Sequence, residues 1–396
     1  MFRRLLLALA AVAVLALPAA APAKPTIPKG PSGTAFYAPP SPVPGKKHGD
    51  IIRAHRITGQ PAVEGAARTD LVLYRSTGVT GKPVAVSGTV SIPTGKAPKS
   101  GWPVISYAHG TTGVADQCAP SRDAAGTSVH GYNSYIYPLL TRWLKARYAV
   151  VRTDYEGLGP PGAHPYLVGK SEGRSTLDIV RAARQLDPRI GSRLILAGHS
   201  QGGHAALWAA SLAKGYTPDL RLKGTIAFAP ASHIADQSKL LTALKDPGGG
   251  LTAFAATIIR GIDVGRPGLG LEGVLSDSAK ALYPQTLTAC LGDLAKPDSF
   301  GGQSPASLIR DGADIDPLIA ALGQNDPEHL KLSTPVRVEQ GTSDTTVFPS
   351  FTDQLVKEYQ ANKVPVTYKT YKGITHGGVV TAAANDSLSY IRQRLR

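Results

Sequence analysis

The chain has 396 residues, 42% of them apolar, enough for one large α/β domain with an insertion or for two domains. Its formal net charge is +15 at pH 7. The Lys and Arg are scattered, with only Lys46 and Lys47 adjacent beyond Arg3 and Arg4 and no aromatic platform between them, which argues against a nucleic-acid partner and implies no more than weak association with anionic surfaces.

Arg3 and Arg4 precede an apolar run from Leu5 to Leu17, and the small-x-small triplet Ala21-Pro22-Ala23 follows. Residues 1–23 therefore read as a secretory signal peptide cleaved near Ala23, its apolar part too short for a membrane span. No later apolar run is long enough to be a transmembrane segment, and the mature chain is expected to be a secreted, extracellular monomer. It has two cysteines, Cys118 and Cys290, and no Cys-x-x-Cys. Two isolated thiols do not make a zinc site, and in an exported chain the default is one disulfide between them.

Residues 24–70 form a Pro-, Gly- and Lys-rich N-terminal extension, with Phe36 and Tyr37 as anchors and an alternating edge strand over 51–57. Residues 71–232 open with a hairpin, period-two segments 71–76 and 84–92 around the turn Gly78 to Pro83. A buried strand over 103–108 ends at the loop His109-Gly110-Thr111-Thr112-Gly113. A helix over 137–144, a strand over 148–155 and a helix over 177–186 stopped by Pro188 come next. The strand Leu194-Ile195-Leu196-Ala197, a helix to about Gly215 and a strand over 222–230 complete this part. Strands alternating with helices from about residue 100 predict a mostly parallel sheet with helices on both faces. Residues 233–334 break the rhythm. They carry helical patterns at 240–244, 251–262 and 278–283 and no strand signal, which predicts an inserted helical cap. Residues 335–396 resume with a strand over 335–341, a helix over 351–359, a strand over 364–371 and a final helix over 382–395.

The chemistry centres on Gly198-His199-Ser200-Gln201-Gly202, which sits between a buried strand and a small-residue helix. That context predicts a nucleophile elbow: the chain reverses so sharply that Ser200 takes a strained conformation, and Gly198 and Gly202 avoid a clash. A serine hydroxyl needs a base, and the base an orienting acid. In this topology the acid and then the base follow the serine on loops after later strands. Asp344, after the strand ending at Gly341, and His376, after the last strand, occupy those slots. Asp353 falls within a predicted helix instead. His199 and His204 are expected to be structural, pointing away from the substrate face or into helix packing. The oxyanion donors are expected to be the N–H groups of Gln201 and Thr111, with Thr112 as the alternative and His109 orienting the loop. Asp154 to Gly159 lacks the Gly spacing and the Lys-Ser/Thr of a phosphate loop, Asp154 and Glu156 alone are too weak a signal for a metal, and Asp311, Asp314 and Asp316 are spaced like part of a calcium loop whose Gly and terminal Glu are misplaced. No metal and no cofactor is expected.

The mature chain resembles the secretory lipase family, the fungal lipase A-like group of α/β-hydrolases. The matching pieces are Phe36-Tyr37 with Pro39-Pro40, Leu73-Tyr74-Arg75-Ser76, Asp154 to Gly159, His199 to Gly203, Gly341 to Asp344, and Thr375-His376. The resemblance implies an α/β-hydrolase fold, carboxylic ester hydrolysis on ester or lipid substrates, a helical cap over the acyl site, and Ser200, Asp344 and His376 as triad. A Cys118–Cys290 bond would tie the loop after the oxyanion segment to that cap. The alternatives are a secreted serine peptidase, which would need an acidic anchor in the cap for a free amine, and a non-catalytic cell-wall-binding protein.

Overall fold

In the computed structural model, residues 27–396 are described. The signal-peptide reading of residues 1–23 lies outside them. Strand β1 (Ile51–Ile57) forms one edge of a nine-stranded sheet. The hairpin β2 (Ala66–Thr77) and β3 (Pro83–Pro93) follows, then β4 (Trp102–Ala108), the helices α1 (Ser128–Asn133) and α2 (Tyr137–Lys145), and β5 (Ala149–Thr153). Next come α3 (Gly169–Leu186), β6 (Ile190–His199), α4 (Gln201–Tyr216) and β7 (Arg221–Phe228). Between β7 and the next strand lie α5 (Ile234–Leu241), α6 (Gly250–Gly265), α7 (Asp277–Leu282), α8 (Leu291–Leu294) and α9 (Asp316–Gly323). The chain closes with β8 (Val336–Gly341), α10 (Pro349–Ala361), β9 (Val366–Tyr371), α11 (Gly378–Ala382) and α12 (Ala384–Arg394).

The sheet order is β1-β2-β3-β5-β4-β6-β7-β8-β9. Pairing is antiparallel from β1 through the β3–β5 ladder and parallel from β5 to β9. This is the mostly parallel, helix-covered sheet of an α/β-hydrolase. The central strands are buried on both faces, so they read as continuous apolar runs. Period-two alternation splits them between two cores. Leu194 and Leu196 of β6 pack with Leu177 and Val180 of α3 and Ala206 of α4. Ile195 and Ala197 pack with Trp143 of α2, Val379 and Val380 of α11 and Ile391 of α12.

Three helices differ from their expected bounds for physical reasons. The helix expected over 240–244 lies instead at Ile234–Leu241, where Asp326 accepts from the N–H groups of Ile234 and Ala235 at its start. Helix α3 starts at Gly169, well before the periodic segment that begins at Leu177. Its first turns bury Gly169, Ser171, Glu172 and Gly173, which carry no apolar signal. The glycines are there for close approach. A Cβ on Gly169 would lie 2.1 Å from the Trp208 indole, and one on Gly173 would lie 2.8 Å from the Ala209 backbone nitrogen of α4. The last helix is split at Ala383, whose backbone leaves the helical region at φ −84°, ψ 0°.

The helices between β7 and β8 have their own apolar core, in which Ile259, Ile262, Tyr283, Phe300, Leu318 and Leu322 pack with Tyr166 and Leu167 from the loop after β5. A disulfide joins Cys118 to Cys290, with Cα atoms 5.4 Å apart, and so ties the segment after β4 to the start of α8. Beside it the Leu291 N–H donates to the Thr112 carbonyl at 2.9 Å. Among the described residues no helix is long and apolar enough to cross a membrane.

Candidate active site

Strand β6 ends at His199 and helix α4 starts at Gln201, so one residue makes the turn. Ser200 has φ 59° and ψ −121°, a conformation that costs a non-glycine residue about 1–3 kcal/mol. Its surroundings hold it there. The Ser200 N–H donates to Phe228 O at 2.9 Å, and Ser200 O accepts from His204 N at 3.1 Å and Ala231 N at 3.2 Å. Both elbow glycines are obligatory: a Cβ on Gly198 would sit 2.0 Å from Gly202 O, and one on Gly202 1.9 Å from Ala108 O.

Asp344 lies in the turn after β8 and is 3% exposed. Its Oδ1 accepts from Thr346 N and Val347 N, each at 2.9 Å, and its Oδ2 accepts from Gln340 Nε2 at 3.0 Å. Oδ2 also accepts from His376 Nδ1 at 2.7 Å. A ring that donates from Nδ1 keeps a lone pair on Nε2. His376 sits in the loop after β9, and it lines one cleft together with Ser200, His199, Thr111 and Tyr135. The fold thus brings Ser200, Asp344 and His376, 144 and 176 residues downstream of the serine in the case of the last two, to one end of the parallel strands. A serine, an imidazole and a carboxylate so arranged can carry nucleophilic acyl transfer.

Gln201 is the first residue of α4, where an N–H has no partner within its own helix. Thr111 lines the cleft, and its hydroxyl pairs with Tyr166 Oη at 2.7 Å. Thr112 is turned towards α8, which its carbonyl contacts. The loop is held by Tyr155 Oη, which donates to His109 O at 3.0 Å. Burial pushes the His109 ring down to about 4, so it stays neutral. Asp154 and Glu156 hold loops as well. Asp154 accepts from Ser87 Oγ and Ser121 N, and Glu156 from Val79 N and Ser171 Oγ.

His199 corrects an expectation. Its side chain does not point away from the substrate face but lines the cleft. Its ring lies 4.4 Å from the His376 ring, Nε2 donates to His376 O at 3.0 Å, and Nδ1 accepts from Tyr135 Oη at 2.6 Å. The alternation that puts Ile195 and Ala197 on the α2–α12 side puts His199 at the top of the same side, against the loop of His376. That alternation was the available signal. Burial, and then the nearby His376, push its pKa well below 6.5, so the ring stays neutral. His204 is buried in the packing between α3 and α4, where its Nδ1 meets Glu172 at 2.9 Å.

Two spaces meet at Ser200. The cleft just described carries hydroxyl and imidazole groups from Thr111, Tyr135, His199 and His376. The other is an apolar pocket of about 70 Å³, lined by Tyr166, Ile234, Leu241, Phe254, Ile258 and Phe348 among others, most of them from α5, α6 and the loop after β8.

Residues 127–396 match the model of the secretory lipase family. The chain belongs to the secretory lipase family. Lipase A of Moesziomyces aphidis is 29% identical over 263 residues, which are 65% of this chain and 54% of that protein. A probable inactive lipase of Mycobacterium tuberculosis is 25% identical over 358 residues, 85% of this chain and 76% of that one. This family member spans about half the length of many curated relatives that it matches. Among solved structures, Candida antarctica lipase A in its closed state superposes with a TM-score of 0.77 at 23% identity, covering 91% of this chain and 85% of the other. That likeness shows the fold.

Proposed function

We propose that this member of the secretory lipase family is a secreted serine hydrolase that cleaves carboxylic esters, acylglycerol-like in kind, through an acyl-enzyme on Ser200. One observation carries the reading: Asp344 holds His376 through Nδ1 at 2.7 Å, and His376 shares a cleft with a serine fixed on a strained turn. Ser200 Oγ attacks the ester carbonyl carbon while His376 Nε2 takes its proton. Asp344 stabilises the imidazolium. The N–H groups of Gln201 and Thr111 stabilise the oxyanion. The tetrahedral species collapses, His376 returns the proton to the leaving alkoxide, and water cleaves the acyl-enzyme by the same steps.

The acyl chain enters the apolar pocket, and the helices between β7 and β8 cover it as a cap. The residues that line the cleft and the pocket offer apolar, hydroxyl, amide and imidazole groups, which suit an uncharged ester better than a peptide with a free amine. Secretion with cleavage near Ala23 belongs to the same reading, as a relative in the comparison is named a secreted triacylglycerol lipase. Because another relative is named a probable inactive lipase, activity is argued from this chain's own residues.

The test is hydrolysis of p-nitrophenyl esters from acetyl to palmitoyl by wild type and Ser200→Ala. The expected loss in the variant is roughly 10,000-fold or more, with the fold retained. Equal inertness of two folded proteins on every ester would end the ester-hydrolase reading.

A further inference from the structure

Beneath the elbow lies a second set of titratable side chains that the proposed reaction does not use. Glu172 from α3 and His204 from α4 are both completely buried. Glu172 Oε1 accepts from Leu167 N at 2.9 Å and from Gln201 Nε2 at 2.8 Å, and its Oε2 meets His204 Nδ1 at 2.9 Å. The other ring nitrogen of His204, Nε2, faces the Asn325 carbonyl at 2.8 Å. A carbonyl can only accept, so Nε2 donates. Burial alone would raise Glu172 and lower His204. Their partners outweigh that: His164, whose Nε2 lies 3.6 Å from Glu172 Oε1, and then His204 draw Glu172 down to about 2, and Glu172 in turn raises His204. His204 thus donates from both nitrogens, as an imidazolium against a carboxylate.

The neighbours fit this assignment. His164 Nδ1 donates to Glu156 O at 2.8 Å, which leaves Nε2 to accept from Gln201 Nε2 at 2.7 Å. The Gln201 amide therefore has both its donors engaged, on His164 and on Glu172. Asn325 lies at the end of the helical insertion. Its carbonyl also accepts from Trp208 Nε1 at 2.8 Å, and its Oδ1 from Gly169 N at 3.0 Å. Asp326, the other charged group near His204, accepts from Ile234 N at the start of that insertion. Helices α3 and α4 and both ends of the insertion converge on this point.

We propose that Glu172 and His204 are positioning residues for the ester hydrolysis: their buried ion pair fixes Gln201 so that its backbone N–H stays aimed at the oxyanion, and couples that N–H to the helical insertion through Asn325. The proposal rests on the serine-hydrolase reading above. A buried pair is held only while its hydrogen bonds are complete. When His204 loses a proton at alkaline pH, one of its two donors is lost, and Gln201 loosens.

The experiment measures kcat and KM on soluble p-nitrophenyl butyrate from mildly acid to alkaline pH, with active sites counted by a phosphonate ester that labels serine. Wild type is compared with Glu172→Gln, with the double variant Glu172→Gln/His204→Gln, and with Asp178→Asn, which removes another buried carboxylate of α3. Glu172→Gln should lower kcat per titrated site by about 10- to 100-fold with KM changed less than about twofold. The double variant, whose neutral amides can rebuild part of the network, should recover part of kcat and lose the alkaline fall that wild type shows. Asp178→Asn should lower the melting temperature and the number of titrated sites but not kcat per site. In wild type, nitrogen NMR should find both ring nitrogens of His204 protonated at neutral pH.

A neutral His204 ring overturns the proposal. So does a kcat per titrated site within about twofold of wild type in Glu172→Gln and in the double variant. Should Glu172→Gln fail to fold, the double variant and the NMR measurement decide by the same criteria. A folded wild type that neither turns over nor reacts with the phosphonate would sink the hydrolase reading and this proposal with it. An active wild type with unaffected variants sinks the proposal alone.

Discussion

Asp344 has little freedom to be anything else. Its Oδ1 is taken by two backbone N–H groups and its Oδ2 receives Gln340 and His376. In Asp344→Asn, the carbonyl oxygen can keep the two backbone donors, which turns the new NH2 towards the Nδ1–H of His376. Two donors face each other, and the imidazole is driven to the other tautomer, with its proton on the nitrogen that should act as base. The expected cost is roughly 1,000- to 10,000-fold in kcat with KM little changed and the melting temperature close to wild type. A variant within tenfold of wild type would show that His376 does not depend on this carboxylate. His199 packs against the same ring and holds the His376 carbonyl. In His199→Phe the ring remains and the bonds to His376 O and Tyr135 Oη go, so kcat on soluble esters should fall by about tenfold. The placement of Asp344 and His376 was legible because chain order and strand ends leave few candidates. The position of His199 was not, because the elbow motif fixes only the serine and its glycines, and His199 is placed by the β6 alternation running through to the last residue of the strand.

At the scale of elements, the sequence patterns give strands and helix types well and helix starts poorly. The parallel strands are apolar throughout, and the hairpin of β2 and β3 alternates, so both were legible. The first turns of α3 were not, because contact with α4 is made there by Gly169 and Gly173 and a buried charge, Glu172, in place of apolar residues. The side-chain partners of that charge, Gln201 and His204, lie on α4, and no local pattern reports such distant pairing. Gly173→Ala puts a Cβ 2.8 Å from the Ala209 backbone nitrogen, which cannot swing aside as a side chain could. The helices must separate, at a cost of about 1–3 kcal/mol, read by chemical denaturation. An unchanged midpoint would mean that the α3–α4 contact is slack.

For the whole molecule, pH dependence follows from groups spread across the fold. His109, held down to about 4 by burial, and His199, held well below 6.5 chiefly by burial, are neutral in the fold. Their contribution is complete above 6.5 and lost as the pH falls towards those lowered values. His204 is raised, so its contribution is complete below 6.5 and lost as the pH rises through its folded value. Glu328, raised to about 7 mainly by burial and then by Asp326, loses its contribution as the pH rises from about 4.5 to 7, which offsets part of the gain from His109 and His199 over that range. The melting temperature should therefore peak between about pH 5 and pH 7 and decline on both sides, as scanning calorimetry would record. A melting temperature that climbs steadily from pH 6 to pH 9 would contradict these assignments. The Cys118–Cys290 bond closes a separation of 172 residues and stabilises by up to about 5 kcal/mol through the unfolded chain. Replacing both cysteines by alanine should lower the denaturation midpoint accordingly, and it should also release the contact between Thr112 and α8.

Everything proposed for the reaction depends on Ser200 being the nucleophile. That role is tested most directly by treating the protein with a p-nitrophenyl phosphonate ester, counting the nitrophenolate released, and locating the label by mass spectrometry. One equivalent should be released, with the label on Ser200 alone and none on Ser200→Ala. A folded wild type that takes no label, or takes it at another residue as readily as the variant does, would mean that Ser200 is not the nucleophile.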